Sequence, residues 1–323
     1  MDLLAPDATA VARFAADLGA IWPKFPHDSQ LRLGLAVSGG PDSTALLLLS
    51  AAAFPGRVEA ATVDHRLRAA AADEARAVTA LCARLGVPHA TLAVDVAPGN
   101  LQAEARAARY AALAGWMEAR GLPALATAHH ADDQTETLLA RLNRGSGVAG
   151  LAGARAVGRV PETRLGLLRP LLGWRRVELT EVVARAGVAT ANDPSNLDDR
   201  FDRVRLRKAL ASADWIDVAA VAASASHLAD ADAALDWAAE REWRERVRDA
   251  AMGKVWKPSA PRAVALRVLA RIVRELDDSE PRGSALARLH DALLAGKPGS
   301  IGGLVARVVP DGWSFTRAPK RRK

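Results

Sequence analysis

Over the first two hundred residues, short apolar runs alternate with longer stretches whose apolar positions recur at helical spacing. The runs at residues 33–37, 58–63, 89–94 and 122–126 predict buried strands, with a later one near 165–168. An amphipathic pattern over 9–22 predicts an opening helix, and further helices are expected over 42–53, 70–85, 102–120 and 132–144. This alternation predicts an α/β fold, a parallel sheet with helices on both faces. Past about residue 215 the strand signals stop. Helical patterns cover 219–248, 262–275 and 284–295, and a Gly/Pro-rich end reads as a hairpin around Pro310-Asp311-Gly312. Two domains are expected, 1–214 and a smaller, mostly helical 215–323. In open parallel sheets, ligands bind beyond the carboxyl ends of the strands. The segment at Ser38, the Asp64-His65 pair and the stretch Thr127 to Asp133 each follow a predicted strand and should gather at one edge.

Composition narrows the picture. The 323 residues are 50% hydrophobic with a single cysteine, Cys82, which excludes an internal disulfide and any Cys-x-x-Cys metal or redox site. The N-terminus carries acid where a signal peptide needs base, and the longest apolar run, near Leu46, is about half of the ~20 residues that span a bilayer. A soluble cytoplasmic protein without a membrane partner is expected. Net charge is +7, divided as −1 over residues 1–199 and +8 over 200–323, with Lys320, Arg321, Arg322 and Lys323 at the end. That asymmetry points to a polyanionic macromolecule, although solvated Arg-rich helix faces and a disordered tail give the same count.

The most informative segment is LGLAVSGGPDSTALLLL, in which an apolar strand ends in a Ser/Gly turn and an apolar helix follows at once. Gly39 and Gly40 can present bare N–H groups to an anion, Ser38 and Ser43 add hydroxyls, Pro41 opens the helix, and the helix dipole points the same way. Asp42 would repel a polyphosphate unless a cation stands between them, so it is the candidate Mg²⁺ ligand for a bound nucleotide. An ordinary strand, turn and capped helix is the plain alternative. No Walker A sequence occurs, and the Gly145, Gly147, Gly150 pattern follows a charged helix, not a strand, so it lacks its dinucleotide context.

Three polar clusters complete the inventory. In THHADDQTET, His129, Asp133 and Glu136 can line one face toward the cleft, though acids in a first turn also satisfy the dipole alone. The same histidines and aspartates, with Asp64 and His65, are compatible with a dinuclear phosphohydrolase, for which the phosphate loop would be superfluous. In EARAARY, Arg106 and Arg109 share a helix face and suit phosphate. In NDPSNLDDRFDRVRLRKAL, Arg203, Arg205, Arg207 and Lys208 crowd a helix start against its dipole, which favours an anionic partner.

Together these residues resemble a known family. SGGPDS is similar to the signature of the N-type ATP pyrophosphatases, the PP-loop family of adenine nucleotide alpha hydrolase-like fold. VDHRLR, AHHADDQTETLLARLNRGSG and NDPSN further resemble the tRNA(Ile)-lysidine synthases. The resemblance runs from about residue 31 to 208. The remainder is similar to that family's second domain in position and length, and the further C-terminal domain of longer members is not expected. The resemblance implies that the wobble cytidine of a tRNA(Ile) with a CAU anticodon is adenylated by ATP with release of pyrophosphate, and that L-lysine then displaces AMP. It implies pyrophosphate and Mg²⁺ at Ser38, Gly39, Gly40, Pro41, Asp42 and Ser43, with Arg109 stabilising phosphate charge. Asp64 and His65 would lie near the nucleoside, and His129, Asp133 and Glu136 would receive the lysine. Arg203, Arg205, Arg207 and Lys208 would contact tRNA, and a homodimer is possible. Alternatives are another adenylating enzyme of the same superfamily (a tRNA thiolase or an amide-forming ligase), a metal phosphohydrolase, or a non-enzymatic RNA-binding module.

Overall fold

A computed structural model describes residues 5–66, 70–95, 97, 99, 101–191 and 202–318. The NDPSN segment, Leu67 and Arg68 of VDHRLR, the basic tail and the Arg203 side chain lie outside the described residues. Two compact units form, Met1–Ala229 and Asp230–Lys323. The expected boundary lay after residue 214.

The first unit opens with α1 (Ala8–Ile21), α2 (Lys24–His27), β1 (Leu33–Ala36), α3 (Pro41–Ala53), β2 (Val58–Asp64), α4 (Ala70–Arg84) and β3 (His89–Ala93). It continues with α5 (Leu101–Arg120), β4 (Ala124–Ala126), α6 (Ala131–Leu142), α7 (Val148–Leu151), β5 (Val157–Arg159) and β6 (Gly166–Leu168). After α8 (Arg176–Arg185) and α9 (Asp202–Ala211), the long α10 (Val218–Arg246) begins in this unit. Its start is tied back by the Thr135 hydroxyl, which donates to the Val218 carbonyl at 3.2 Å.

The sheet order is β3-β2-β1-β4-β6-β5, parallel except for the antiparallel edge strand β5. Strand alternation divides its side chains between two cores. Leu33, Leu35, Val58, Ala60, Ala124, Ala126 and Leu168 join α1, α3, α4 and α8 on one face. Ala61, Leu125 and Leu167 meet Tyr110, Leu113, Trp116 and Met117 of α5 on the other. Beginning at β1, the chain winds outward through β2 and β3, then returns through α5 to place β4 on the other flank of β1. The winding direction therefore reverses between β1 and β4, and that reversal opens a crevice at their carboxyl ends. Among the described residues, no helix is long and apolar enough to cross a membrane.

The predicted strands and helices of this unit are present within a few residues. Strand β5 was not expected, because its outer positions Val157 and Arg159 are exposed and leave no apolar signal. The second unit holds more sheet than the sequence pattern indicates. Besides the end of α10 and the amphipathic helices α11 (Arg262–Asp277) and α12 (Gly283–Leu294), it contains β7 (Val247–Ala250), β8 (Gly253–Trp256), β9 (Gly299–Ile301), β10 (Leu304–Val309) and β11 (Gly312–Arg317). These form an antiparallel sheet ordered β7-β8-β11-β10-β9, and the expected hairpin at Pro310-Asp311-Gly312 is its β10–β11 turn. A Cβ on Gly253, at φ +154°, would run into the Phe315 carbonyl, so this close strand approach requires glycine. Much of the unit's arginine is paired internally: Arg267 with Asp232 and Asp236, and Arg271 with Glu240 at 2.6 Å.

Trp174 fastens the opening helix and the start of α6 to the same point. Its buried indole N–H donates to Asp17 Oδ2 at 2.8 Å, the Arg13 guanidinium stacks 4.1 Å from the ring centroid, and its carbonyl accepts the Ala131 N–H at 2.8 Å. Trp174→Ala is expected to cost about 3–5 kcal/mol, measured as a lower denaturant midpoint of the full chain. An unchanged midpoint would contradict this anchoring role.

Candidate active site

The turn after β1 is closed by hydroxyls. Ser43 Oγ donates to the Gly40 carbonyl at 3.0 Å and accepts the Ser38 N–H at 3.1 Å. Since its only proton goes to Gly40, the 3.1 Å contact between the two serine hydroxyls has Ser38 as donor. Ser43 is thus committed to holding the loop's shape. Gly39 takes φ +86°, a left-handed conformation, and a Cβ there would sit 3.3 Å from Val78. Gly40 caps α3, Pro41 occupies its first turn, and Asp42 follows. The loop therefore turns backbone donors and a helix N-terminus toward the crevice, as an anion site requires.

Asp42 Oδ1 is buried there without a hydrogen-bond partner. An orphaned carboxylate oxygen beside an anion nest suits a hard cation such as Mg²⁺, which takes one or two carboxylates together with phosphate oxygens and water. Among the described residues, no group of three or more His, Cys, Asp or Glu side chains could hold a metal ion by themselves. The phosphates would have to complete such a site.

Across the crevice, His130 caps α6 and its side chain is fully buried. Its ring lies 3.4 Å from Asp42, 3.6 Å from Asp132 and 3.5 Å from Asp133. Burial opposes its charge, but the Asp132 and Asp42 carboxylates and the field of Asp133 outweigh that effect and raise the imidazole to about 9. Asp132 is held below the usual carboxylate range. Its burial acts upward and is overcome by His130, the Arg176 N–H at 2.8 Å and the Arg175 guanidinium at 3.3 Å. Beyond Asp133, Arg176 reaches Asp133 at 3.9 Å and Glu136 at 3.3 Å, and Arg207 of α9 binds Glu136 at 2.8 Å. Charges therefore alternate along Asp42, His130, Asp133, Arg176, Glu136 and Arg207.

Several expected residues converge here and others are differently engaged. Glu136 is 4% exposed and held by two guanidinium groups, whereas Asp133 is 31% exposed. Arg207, expected among the tRNA contacts, is turned inward onto Glu136, while Arg205 and Lys208 lie on exposed positions of α9. Asp64 Oδ1 accepts the Arg66 N–H at 2.8 Å. Burial and the nearby Arg109 hold His65 below the usual histidine range against the pull of Asp64, and its Nδ1 is buried without a partner. His129 shares a 3.0 Å hydrogen bond with the Thr127 hydroxyl. Burial, then Arg169, Arg109 and Arg106, lower it to about 4 against Asp133. Arg109 thus acts electrostatically on the ends of both β2 and β4. Arg175, Arg176 and Arg169 were not singled out from the sequence, and His130 entered only as one of the histidines of the dinuclear alternative. The His129-His130 pair offered a signal, but which ring turns toward Asp42 depends on the helix cap.

A model of the PP-loop domain matches residues 10–213. A tRNA(Ile)-lysidine synthase of Novosphingobium aromaticivorans is 49% identical over 317 residues, covering 97% of this chain and 95% of its own length. Another, from Zymomonas mobilis, is 41% identical over 302 residues, with 90% of each covered. The chain belongs to the tRNA(Ile)-lysidine synthases. Within the wider PP-loop fold it is similar to the U34-tRNA thiolase NcsA of Methanococcus maripaludis, at TM-score 0.56 and 13% identity over 68% of this chain and 78% of that one.

For this PP-loop chain, Arg207→Gln is expected to leave a Glu136 oxygen under-satisfied and to cost about 1–3 kcal/mol of stability. Glu136→Gln in the same background should recover part of that loss. Additive effects in the double-mutant cycle would contradict a direct pair.

Proposed function

We propose that this chain is an ATP-dependent tRNA(Ile)-lysidine synthase acting on the wobble cytidine of a CAU anticodon. The observation that carries the reading is a family-specific sequence laid over a hydroxyl-locked anion loop that holds a carboxylate with an unpartnered oxygen. In the first step the cytidine C2 oxygen attacks the α-phosphorus, a new P–O bond forms, and the bond to pyrophosphate breaks. The loop of Ser38, Gly39, Gly40, Pro41, Asp42 and Ser43 receives the departing diphosphate, and Arg109 offsets charge on the phosphates. Bound Mg²⁺, held by Asp42, would supply neutralisation of phosphate charge. Asp64 and His65, at the end of β2, flank the nucleoside.

In the second step the lysine ε-ammonium gives up one proton, its neutral nitrogen attacks C2, the C2–O bond to the adenylate breaks, AMP leaves and a second proton is lost from the new C–N nitrogen. Free lysine has a pKa of ~10.4, so its neutral amine costs roughly 4.6 kcal/mol at pH 7. A carboxylate that first binds the ammonium and then accepts its proton meets that need. Asp133 suits this role better than Glu136, whose oxygens already meet Arg176 and Arg207. Neutral His129 adds an uncharged neighbour. Arg203, Arg205 and Lys208 remain candidates for tRNA, in the cytoplasm and as monomer or homodimer.

The test incubates the full chain with ATP, labelled lysine and tRNA(Ile), following pyrophosphate, AMP and label. Asp42→Asn is expected to abolish pyrophosphate release. Asp133→Asn should retain most of that release and lose transfer of label to tRNA by 10²-fold or more, on the order of a removed general base. Equal loss of both steps in Asp133→Asn would reject this division of roles. No ATP-dependent label on tRNA with the unaltered chain would reject the function.

A further inference from the structure

A second group of cations lies at the same sheet edge with no carboxylate against it. Arg169 directly follows β6, and the Thr127 N–H donates to the Leu168 carbonyl at 3.0 Å, so Arg169 stands beside the segment that carries His129. Arg169 is 9% exposed. One of its terminal nitrogens donates to the Arg155 carbonyl at 2.7 Å, while its Nε is buried without a hydrogen bond. Next to it, Tyr110 of α5 is 2% exposed, and its buried hydroxyl has no partner other than the neighbouring Arg169 guanidinium. The guanidinium carbons of Arg106 and Arg109 lie 4.9 and 5.0 Å from the Tyr110 ring centroid. Among the described residues, none of these three arginines has a carboxylate within ion-pair distance.

The contrast with the adjacent Asp42-to-Arg207 chain is chemical. There every cation has an acid beside it, whereas here a buried guanidinium and an exposed one gather at a buried hydroxyl, and the acceptors beside them, the Arg155 carbonyl and the Tyr110 oxygen, carry no formal charge. Burying a guanidinium unpaired is strongly unfavourable. Its complement is an anion with several acceptor oxygens around one centre, which is the geometry of a phosphate. Burial lowers the Arg169 pKa and the charge of Arg106 adds to that, against an opposing pull from Tyr110.

We propose that Arg169, Arg106 and the Tyr110 hydroxyl form a second phosphate subsite, distinct from the Ser38–Ser43 loop, that holds the backbone phosphodiester beside the target nucleotide of the RNA. A phosphate there could belong to the RNA or to ATP. The RNA is favoured because the loop opens α3 on one face of the sheet and already serves a diphosphate, while Tyr110 belongs to the core on the opposite face. The subsite rests on the RNA-modifying reading above.

Binding without turnover separates the two. The full-length Arg106→Gln and Arg169→Met variants would be titrated with a tRNA(Ile) transcript in the absence of ATP across a salt series, and with ATP in the absence of RNA. Each variant is expected to weaken tRNA binding about 5–20-fold and to flatten the dependence of log K on log salt by about one phosphate contact, with ATP affinity within about twofold of the unaltered chain. Arg169→Lys should restore the salt slope. Weakened ATP binding with unchanged tRNA binding would overturn the assignment in favour of the nucleotide, and no change in either would overturn the subsite. Should Arg169→Met fail to fold, Arg106→Gln decides, since its side chain is exposed. Loss of tRNA affinity in an otherwise normal variant, with no lysine transfer by the unaltered chain, would leave the subsite standing and the proposed reaction refuted.

Discussion

The constraint on which this site depends is a carboxylate placed where an anion must bind. Asp42 follows a loop whose donors and helix dipole attract phosphate, and its own charge acts against them. The fold meets this by burying an imidazole, its pKa raised by the surrounding acids, directly across the crevice. His130 sits 3.4 Å from Asp42, and the acids at the start of α6 together with Asp42 favour its charged form against full burial. One Asp42 oxygen is thereby matched from the protein side and the other left for a cation that arrives with the nucleotide. The hydroxyl lock of Ser43 onto Gly40 and Ser38 keeps that oxygen where the loop needs it.

Topology explains why these groups meet. The loop after β1 and the cap of α6 come from segments about ninety residues apart, and the reversal of winding between β1 and β4 makes them neighbours. The two cores then divide the work. Helices α3 and α8, packed on one face, carry Asp42 and Arg176, and α5 on the other face carries Arg109, Arg106 and Tyr110. The crevice thus receives acids and bases from one side and an excess of cations from the other.

What the sequence made legible follows from range. The phosphate loop, its Asp42 and the Asp133–Glu136 face were readable because their geometry is local, set by a few residues of turn and one helical period. His130, Arg176 and Arg207 were not, because their roles lie in contacts between elements 40 to 90 residues apart. Arg207 looked like one of several outward cations on a helix start, and only its contact with Glu136 distinguishes it. The second unit hid its sheet for another reason. Strands β7 and β9 are three or four residues long with mostly exposed or half-buried positions, which produce no alternation to detect. The charge excess over residues 200–323 also overstated what faces outward, since Arg267 and Arg271 are held by acids within their own unit.

A ligase that activates one substrate with a polyanion and then adds a cationic amino acid must attract opposite charges to neighbouring points. Uniformly basic walls would hold ATP and repel lysine, and uniformly acidic walls would do the reverse. The alternation from Asp42 through His130, Asp133 and Arg176 to Glu136 avoids both, because each charge has its opposite beside it and the field changes sign over one side chain. Two places break the pattern, the unpartnered oxygen of Asp42 and the unpaired cations around Tyr110. Asp133, half open beside His130, offers a third foothold of negative charge. These are the points at which the protein's own charges leave room for a ligand's, and their signs match a cation with its nucleotide, a phosphate and an ammonium in turn.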